Sequence, residues 1–297
     1  MMRDDLPVWR SLMFVPVNVE KFVNTGADRG ADGIILDLED SVAPSQKDHA
    51  RTLIADAIPR VARNGADVLV RVNRPWRMMV QDVEAAVIPG ITALVLTKVD
   101  SPEHVLAVAE MVDELEAERG LPPGVIKFYV LVESTAGFFR MPEIARSHPR
   151  IVGMSLGSED FAADAGMQAE PEGLFYPKQQ MLFAARAAGI MPMGFVGSIA
   201  DFRDQDAFRV IVRRSRRLGF VGASAIHPLQ IQVLNEEFSP SADEVERARR
   251  MVAAYDDAYA KGLGAVQFEG AMIDVPVVNR ARGLLRRAAA VKTRLAR

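Results

Sequence analysis

Short apolar runs recur along the chain, and each is followed by a longer segment that has helical periodicity. The runs lie at residues 11–17, 33–40, 67–73, 93–99, 127–133, from 151 onward, 191–197 and 223–228. The segments between them predict helices at residues 18–29, 44–63, 78–88, 102–119, 138–146, 175–189, 204–218 and 229–236. Strands alternating with helices of this length indicate parallel crossovers. The pattern therefore predicts an α/β fold, a (β/α)8 TIM barrel.

The chain continues after the eighth strand–helix pair with residues that a barrel does not need for closure. Ser239 or Ser241 could cap a long helix, and Pro276 suits the first turn of a final helix that begins near Val275. The basic end of the chain has apolar residues at helical spacing, which predicts an amphipathic docking helix. We therefore predict a barrel catalytic domain at 1–238 and a C-terminal helical extension at 239–297, packing on the barrel or on a neighbouring subunit.

Composition narrows the class of protein. The 297 residues are 49% hydrophobic and include no cysteine, so a large core is available while disulfides, thiolate metal sites and a cysteine nucleophile are excluded. No apolar stretch approaches the roughly 18 residues of a membrane span, and the N-terminus lacks the regions of a signal peptide. The net charge of −3 argues against a general nucleic-acid binder. We expect a soluble, cytoplasmic protein without nucleic-acid or membrane partners.

Two carboxylates stand where predicted strands end. Glu133 closes the run at 127–133, and Asp160 follows the run that begins at 151. The carboxyl ends of parallel barrel strands converge on one face, so these side chains could share a divalent metal. Hard oxygen ligands suit Mg²⁺, with Mn²⁺ as the alternative. In the competing interpretation, Glu133 pairs with Arg71 or Lys98 while Asp160 caps the helix after it.

A cation and an anion-binding loop could complete this site. Arg71 lies within an apolar strand, so it should face the barrel mouth and could stabilise an oxyanion, or else form an ion pair with Glu39 or Asp40. Asp37 crowds the same strand end as those two acids, and no individual roles follow from the pattern. The segment 155–161 could expose backbone N–H groups to a carboxylate or phosphate, or could be an ordinary capped loop.

Other candidate groups have structural explanations. His49, His104 and His148 fall in helices or at helix ends and are expected to be exposed. His227 precedes Pro228, a position where histidine more often orders a loop than reacts. Asp274 precedes Val275 and Pro276 and has the local pattern of a helix N-cap. The motifs of a dinucleotide site and a P-loop are absent from the sequence.

Seven motifs in order resemble one known family over about residues 10 to 290. They are RSLMFVP, GADGIILDLEDSVAP followed by Lys47, VRVN, LVEST, SLGSEDF, LGFVGASAIHPLQI with NEEFSPS, and GAMIDVP. Together they resemble the citrate lyase β-subunit-like branch of the HpcH/HpaI aldolase family, which includes malyl-CoA and citramalyl-CoA lyases.

This resemblance implies a (β/α)8 barrel, Mg²⁺ dependence, a homotrimer or hexamer, and reversible cleavage of a 3-hydroxyacyl-CoA into an acyl-CoA and a 2-oxo acid. Glu133 and Asp160 are similar to the family's metal ligands. Arg71 is similar to the residue that stabilises the thioester enolate. The backbone of Gly157, Ser158, Glu159 and Asp160 would hold the carboxylate of the 2-oxo acid. Asp274 resembles an acid/base that a neighbouring subunit contributes, which replaces its interpretation as a cap.

The sequence also departs from the family pattern. Val17, Ala223 and Ala271 stand where many relatives have Gly, Lys and Lys, and the segment EPEGLFYPKQQ differs from the commoner pattern. These changes leave the predicted metal ligands in place, but they leave open the CoA contacts and the acid substrate. Two alternatives therefore remain, a 3-hydroxyacyl-CoA thioesterase and a citrate lyase β-type subunit that acts only within a complex.

Overall fold

The protein is described by a computed structural model that covers residues 2–3, 5–197 and 203–296. Its contacts divide the chain into two compact units, Met1–Phe238 and Ser239–Arg297. Across the described residues, no helix has both the length and the apolar character needed to cross a membrane.

The first unit contains eight strands that pair in parallel in the order β7-β6-β5-β4-β3-β2-β1-β8. Their bounds are β1 (Ser11–Pro16), β2 (Gly33–Asp37), β3 (Asp67–Val72), β4 (Ala93–Leu96), β5 (Lys127–Val132), β6 (Ile151–Leu156), β7 (Met191–Pro192) and β8 (Ala223–Ala225). A parallel bridge between Met193 and Gly222 joins the two ends of this order, and the Gly194 N–H donates to Gly222 O at 2.7 Å. The predicted α/β class and the eight strands are confirmed, in a TIM-barrel-like arrangement.

Helices cover the connections between these strands. Their bounds are α1 (Glu20–Gly26), α2 (Lys47–Thr52), α3 (Ile54–Ala62), α4 (Trp76–Ala86), α5 (Pro102–Glu118), α6 (Thr135–Phe139), α7 (Met141–Arg146), α8 (Ser158–Asp164), α9 (Pro171–Ala188), α10 (Gln205–Leu218) and α11 (Pro228–Glu237). The predicted helix at 138–146 is interrupted at Arg140, because Pro142 has no N–H to continue the ladder and instead fits the first turn of a new helix. The predicted helix at 44–63 is interrupted at Leu53, whose N–H donates to Ala50 O in a tighter turn.

The alternation of side chains along the strands decides which residues face the site. In β3, Leu69 belongs to the inner core cluster, whereas Val68 and Val70 belong to the outer cluster that packs under the helices. Successive side chains of a strand point to opposite faces, so Arg71 lies on the same side as Leu69. The same rule places Asp37 beside Ile35, a member of the inner cluster in β2.

The second unit is a helix pair with a hairpin between the helices. It contains α12 (Ala242–Ala260), β9 (Val266–Phe268), β10 (Ala271–Ile273) and α13 (Val275–Leu295). Ser241 and Glu244 form a reciprocal capping box at the start of α12. Ser241 was one of the two serines that the sequence offered as the cap of this helix. The hairpin was not predicted, and it turns through Glu269 and Gly270, which both have positive φ, as a tight two-residue turn requires.

Candidate active site

Arg71 and Asp37 form the most constrained ion pair at the strand ends. They are register partners in β3 and β2, and Arg71 Nε and NH2 donate to Asp37 Oδ1 and Oδ2 at 2.7 and 2.6 Å. Burial by itself would raise the pKa of Asp37, but the hydrogen bonds and charge of Arg71 outweigh it and lower that pKa. The two-point contact fixes the plane of the guanidinium.

The remaining side of Arg71 contacts two further acids and a ring. Its NH1 lies 2.8 Å from Glu39 Oε2 and 3.6 Å from Asp40 Oδ2, and its Cζ lies 4.6 Å from the centroid of the Phe14 ring. The ion pairs expected with Glu39 or Asp40 are thus both present, with Asp37 as the closer partner. Burial opposes the charge of Arg71, but these carboxylates raise its pKa, so it stays charged at any working pH.

Glu133 is a buried carboxyl group whose burial outweighs the effect of the nearby positive charges of Lys98 and Arg71. It follows β5, is 6% exposed, and its Oε2 accepts the backbone N–H of Lys98 at 3.0 Å. Burial, with the charges of Glu39 and Asp160, raises the pKa of Glu133 to about 8. The structure therefore brings the two predicted metal ligands close enough for the charge of Asp160 to raise the pKa of Glu133.

Gly157 allows the end of β6 to approach Glu133. A Cβ at this position would lie 2.6 Å from both Cγ and Oε1 of Glu133, so only glycine fits without displacement. The Gly157 N–H donates to Val132 O at 3.0 Å, so it is already engaged, whereas Ser158, Glu159 and Asp160 form the first turn of α8. The close approach sets the position of α8, and with it that of Asp160.

Lys98 lies among the acids after the apolar strand β4, where the sequence predicted a charged residue at a strand end but gave it no role beyond that of a partner for Glu133. Its Nζ donates to Glu39 Oε1 at 2.6 Å and lies 3.7 Å from Asp160 Oδ1 and 3.8 Å from Asp40 Oδ1. Burial would lower the pKa of Lys98, but Glu39 and the other acids raise it. A charged residue directly after an apolar run was the signal that could have identified it.

Lys47 and Asn73 support the backbone that carries Glu39. Lys47 Nζ donates to Leu38 O and Glu39 O at 2.7 and 2.5 Å, and Asn73 Nδ2 donates to Leu38 O at 2.9 Å. Burial lowers the pKa of Lys47, and the nearby carboxylates partly oppose this shift. Lys47 follows the motif GADGIILDLEDSVAP and Asn73 ends the motif VRVN, but the spacing of these residues predicted no role for them.

The residues of the site fit a divalent cation. Three cationic side chains meet five carboxyl groups here: Arg71, Lys98 and Lys47 face Asp37, Glu39, Asp40, Glu133 and Asp160. With every carboxyl group ionised, as Glu133 would be with a cation bound beside it, these groups leave two negative charges, which one divalent cation would neutralise. Within the described part of the chain, no group of three or more His, Cys, Asp or Glu side chains could hold a metal. Two carboxylates completed by water and substrate oxygens are the arrangement that Mg²⁺ prefers.

Two other predicted candidates act as helix caps. His227 begins α11, and its Nδ1 accepts the N–H of Leu229 at 3.2 Å, in agreement with a residue that orders the loop. Asp274, in the second unit, is exposed and begins α13, where its Oδ1 accepts the N–H of Val277 at 3.4 Å.

The prediction that His104 is exposed was wrong. Its side chain lies in the first turn of α5 under Trp76, at 5.2 Å between ring centroids, and the residue is 2% exposed. Burial lowers the pKa of His104 to about 4, so the ring is neutral at neutral pH. His49 is exposed as expected, and His148 is half-buried.

A parallel TIM-barrel-like sheet with acids and cations gathered at the carboxyl ends of its strands is the arrangement of an enzyme site. The chain belongs to the HpcH/HpaI aldolase/citrate lyase family, whose sequence profile matches residues 10–228. The resemblance carried by the seven motifs is thereby confirmed, and the chain is an enzyme of the lyase class.

Similar proteins cover nearly the whole chain. Citrate lyase subunit beta of Escherichia coli K12 is 36% identical over 284 residues, which span 94% of this chain and 93% of that protein. The L-malyl-CoA/beta-methylmalyl-CoA lyase of Cereibacter sphaeroides is 35% identical over 302 residues, 94% of each chain. The crystal structure of CitE from Mycobacterium tuberculosis in complex with magnesium, acetoacetate and coenzyme A matches with a TM-score of 0.75 and 28% identity, over 96% of this chain and 99% of that one.

Proposed function

We propose that this chain is a Mg²⁺-dependent CoA-ester lyase. It would cleave a 3-hydroxyacyl-CoA, such as malyl-CoA or citramalyl-CoA, reversibly into an acyl-CoA and a 2-oxo acid. The observation that carries this proposal is the buried Glu133, with its pKa raised to about 8, beside Asp160 and within the same charged group as Arg71. The relatives named for citrate lyase and malyl-CoA lyase support the reaction class.

Glu133 and Asp160 would hold the metal, and Mn²⁺ would be able to replace Mg²⁺. When bound, the ion would supply Lewis-acid stabilisation of charge on the substrate oxygen that becomes the carbonyl. The raised pKa of Glu133 supports this assignment, because the charges of Lys98 and Arg71 do not offset its burial, and an additional cation would stabilise its ionised form. The first turn of α8, which follows Gly157, would contact the carboxylate of the 2-oxo acid through Ser158, Glu159 and Asp160.

Arg71 would stabilise the enolate oxygen of the departing acyl-CoA. Its guanidinium is already oriented by Asp37, so little reorganisation would be needed during the reaction. Cleavage leaves the electron pair of the broken C–C bond on the acyl-CoA α-carbon, which must then receive a proton. We assign this proton transfer to Asp274: in cleavage it would take the proton that the 3-hydroxyl group loses as it becomes the carbonyl and would then deliver it to the α-carbon, and in condensation the same transfers would run in reverse.

The finer architecture belongs to the same proposal. Residues 1–238 would form a closed (β/α)8 barrel, supported by the bridge between Met193 and Gly222, and residues 239–297 would form a helical appendage. We propose a homotrimer or hexamer in which the appendage of one subunit brings Asp274 to the site of the next.

The direct test is condensation by the purified chain. The protein, with Mg²⁺ and then with EDTA, would be incubated with acetyl-CoA or propionyl-CoA together with glyoxylate, pyruvate or oxaloacetate, and the products would be measured by mass spectrometry. We expect a Mg²⁺-dependent 3-hydroxyacyl-CoA from one pair and none from Glu133→Gln. If an added hydroxyacyl-CoA releases free CoA and the intact hydroxy acid, the activity is that of a thioesterase and the lyase proposal fails.

A second candidate function is that of a subunit active only within a larger lyase complex. Relatives named citrate lyase subunit beta, at 36% identity over most of the chain, favour this candidate. Activity of the isolated chain on free CoA esters would exclude dependence on a complex. Activity that requires an acyl-carrier partner would support it.

A further inference from the structure

Lys98 contacts two carboxylates of the site through different atoms. Its backbone N–H donates to Glu133 Oε2 at 3.0 Å, whereas its side-chain Nζ donates to Glu39 Oε1 at 2.6 Å. The contact to Glu133 therefore depends on the backbone conformation of residue 98, and the contact to Glu39 depends on its ammonium group.

The backbone of Lys98 is in the left-handed region, with φ of 49°. L residues with a side chain rarely adopt this region, because their Cβ approaches a backbone carbonyl oxygen. Among the described residues, Glu269, with φ of 48°, is the other non-glycine residue with positive φ, and it lies in the hairpin turn of the second unit. Strained conformations of this kind persist where the surrounding structure enforces them.

Neighbouring contacts enforce the conformation at Lys98. The N–H of Val99 donates to Leu131 O at 3.0 Å, which ties the following residue to β5. The Lys98 carbonyl accepts Arg74 Nε at 3.2 Å. With the carbonyl and the next amide fixed in this way, the N–H of Lys98 is directed at the carboxylate that follows β5.

We infer that Lys98 is a positioning residue of the metal centre. Its left-handed backbone holds the Glu133 carboxylate in the place where, with Asp160, it can bind a divalent cation. This inference rests on the proposed metal site. It assigns to the backbone of Lys98 a role in metal binding that is separate from the role of its ammonium group.

Two substitutions separate these roles. Glycine adopts positive φ without strain and keeps the N–H, so Lys98→Gly removes the side chain with its ammonium group but keeps the directed N–H. Valine is β-branched and disfavours the left-handed region, so Lys98→Val removes the ammonium and the directed N–H together. Binding of Mn²⁺ alone would be measured by electron paramagnetic resonance of the free ion. Because both variants lose the same charge, they are compared with each other, and we expect a dissociation constant at least tenfold higher for Lys98→Val than for Lys98→Gly.

The matched controls are Glu269→Gly and Glu269→Val, which make the same backbone changes in the hairpin turn. Both should bind Mn²⁺ within threefold of wild type. Circular dichroism would check folding, and if Lys98→Val does not fold, Lys98→Ala takes its place with the same direction of change.

Two results would overturn the inference. Lys98→Val could bind Mn²⁺ as tightly as Lys98→Gly, or the wild-type chain could fail to bind Mn²⁺. Because the probe is the metal alone, an enzyme inactive on every CoA ester would contradict the proposed reaction and leave the assignment of Lys98 standing.

Discussion

Glu133 connects the electrostatics of the site to the stability of the fold. Its pKa is raised from an ordinary value of 4.5 to about 8, chiefly by burial. The folded state therefore binds this proton more tightly than the unfolded chain does. The stability that the proton provides is present below the ordinary pKa and is lost as the pH rises toward 8.

We predict that Glu133→Gln stabilises the metal-free protein most at alkaline pH. The neutral amide can accept the same N–H from Lys98 but carries no buried charge. In EDTA, thermal unfolding should differ little between variant and wild type at pH 5, while at pH 8.5 the variant should be more stable, by an amount on the order of a few kcal/mol. Added Mg²⁺ should stabilise the wild type alone. If the variant and the wild type differed in stability by the same amount at pH 5 and at pH 8.5, the buried charge of Glu133 would have no such effect.

Arg71 should not be replaceable by lysine. An ammonium group cannot reproduce the two parallel hydrogen bonds to Asp37 while also contacting Glu39. We expect Arg71→Lys to lower kcat/KM at least tenfold, with Arg60→Lys, which changes a surface ion pair with Asp56, as the control. A loss below about threefold, which corresponds to roughly 0.7 kcal/mol, would assign Arg71 a structural role only.

At the scale of elements, the sequence predicted more of the fold than of the site. Hydrophobic periodicity located the eight strands because each is apolar and bounded by turn residues. It did not predict the helix break at Arg140 or the hairpin of the second unit, which depend on local hydrogen bonding. It placed Glu133 and Asp160 at strand ends, but it could not show that Lys98 lies between the acids, because that depends on a left-handed residue after β4.

The junction of β6 and α8 gives a prediction of its own. Gly157→Ala would put a methyl group 2.6 Å from Glu133, so the carboxylate would have to move. We expect Mn²⁺ binding to weaken at least tenfold, by the same electron paramagnetic resonance measurement. Gly26→Ala is the control, because its Cβ would meet side chains no closer than 3.7 Å. Unchanged affinity in Gly157→Ala would mean that the position of Glu133 is not critical for the metal.

At the scale of the whole molecule, the chain divides into a larger unit that carries Arg71 and a smaller unit that carries Asp274. The helix cap at Asp274 uses its Oδ1 as an acceptor at 3.4 Å, a long contact that leaves the exposed carboxylate available for a second task. If the proposed assembly is correct, a complete site requires the larger unit of one subunit and the smaller unit of another.

This requirement predicts complementation between inactive variants. Arg71→Ala and Asp274→Ala chains should each lack activity alone, yet oligomers assembled from both should regain part of it. Some sites would then combine an intact Arg71 from one subunit with an intact Asp274 from its neighbour. A closed ring of identical subunits is the symmetric assembly that permits such head-to-tail donation. The measurement is turnover after co-refolding, with mixed oligomers verified by native mass spectrometry. Verified mixed oligomers without turnover would contradict the shared site, as would a dilute monomer with full activity.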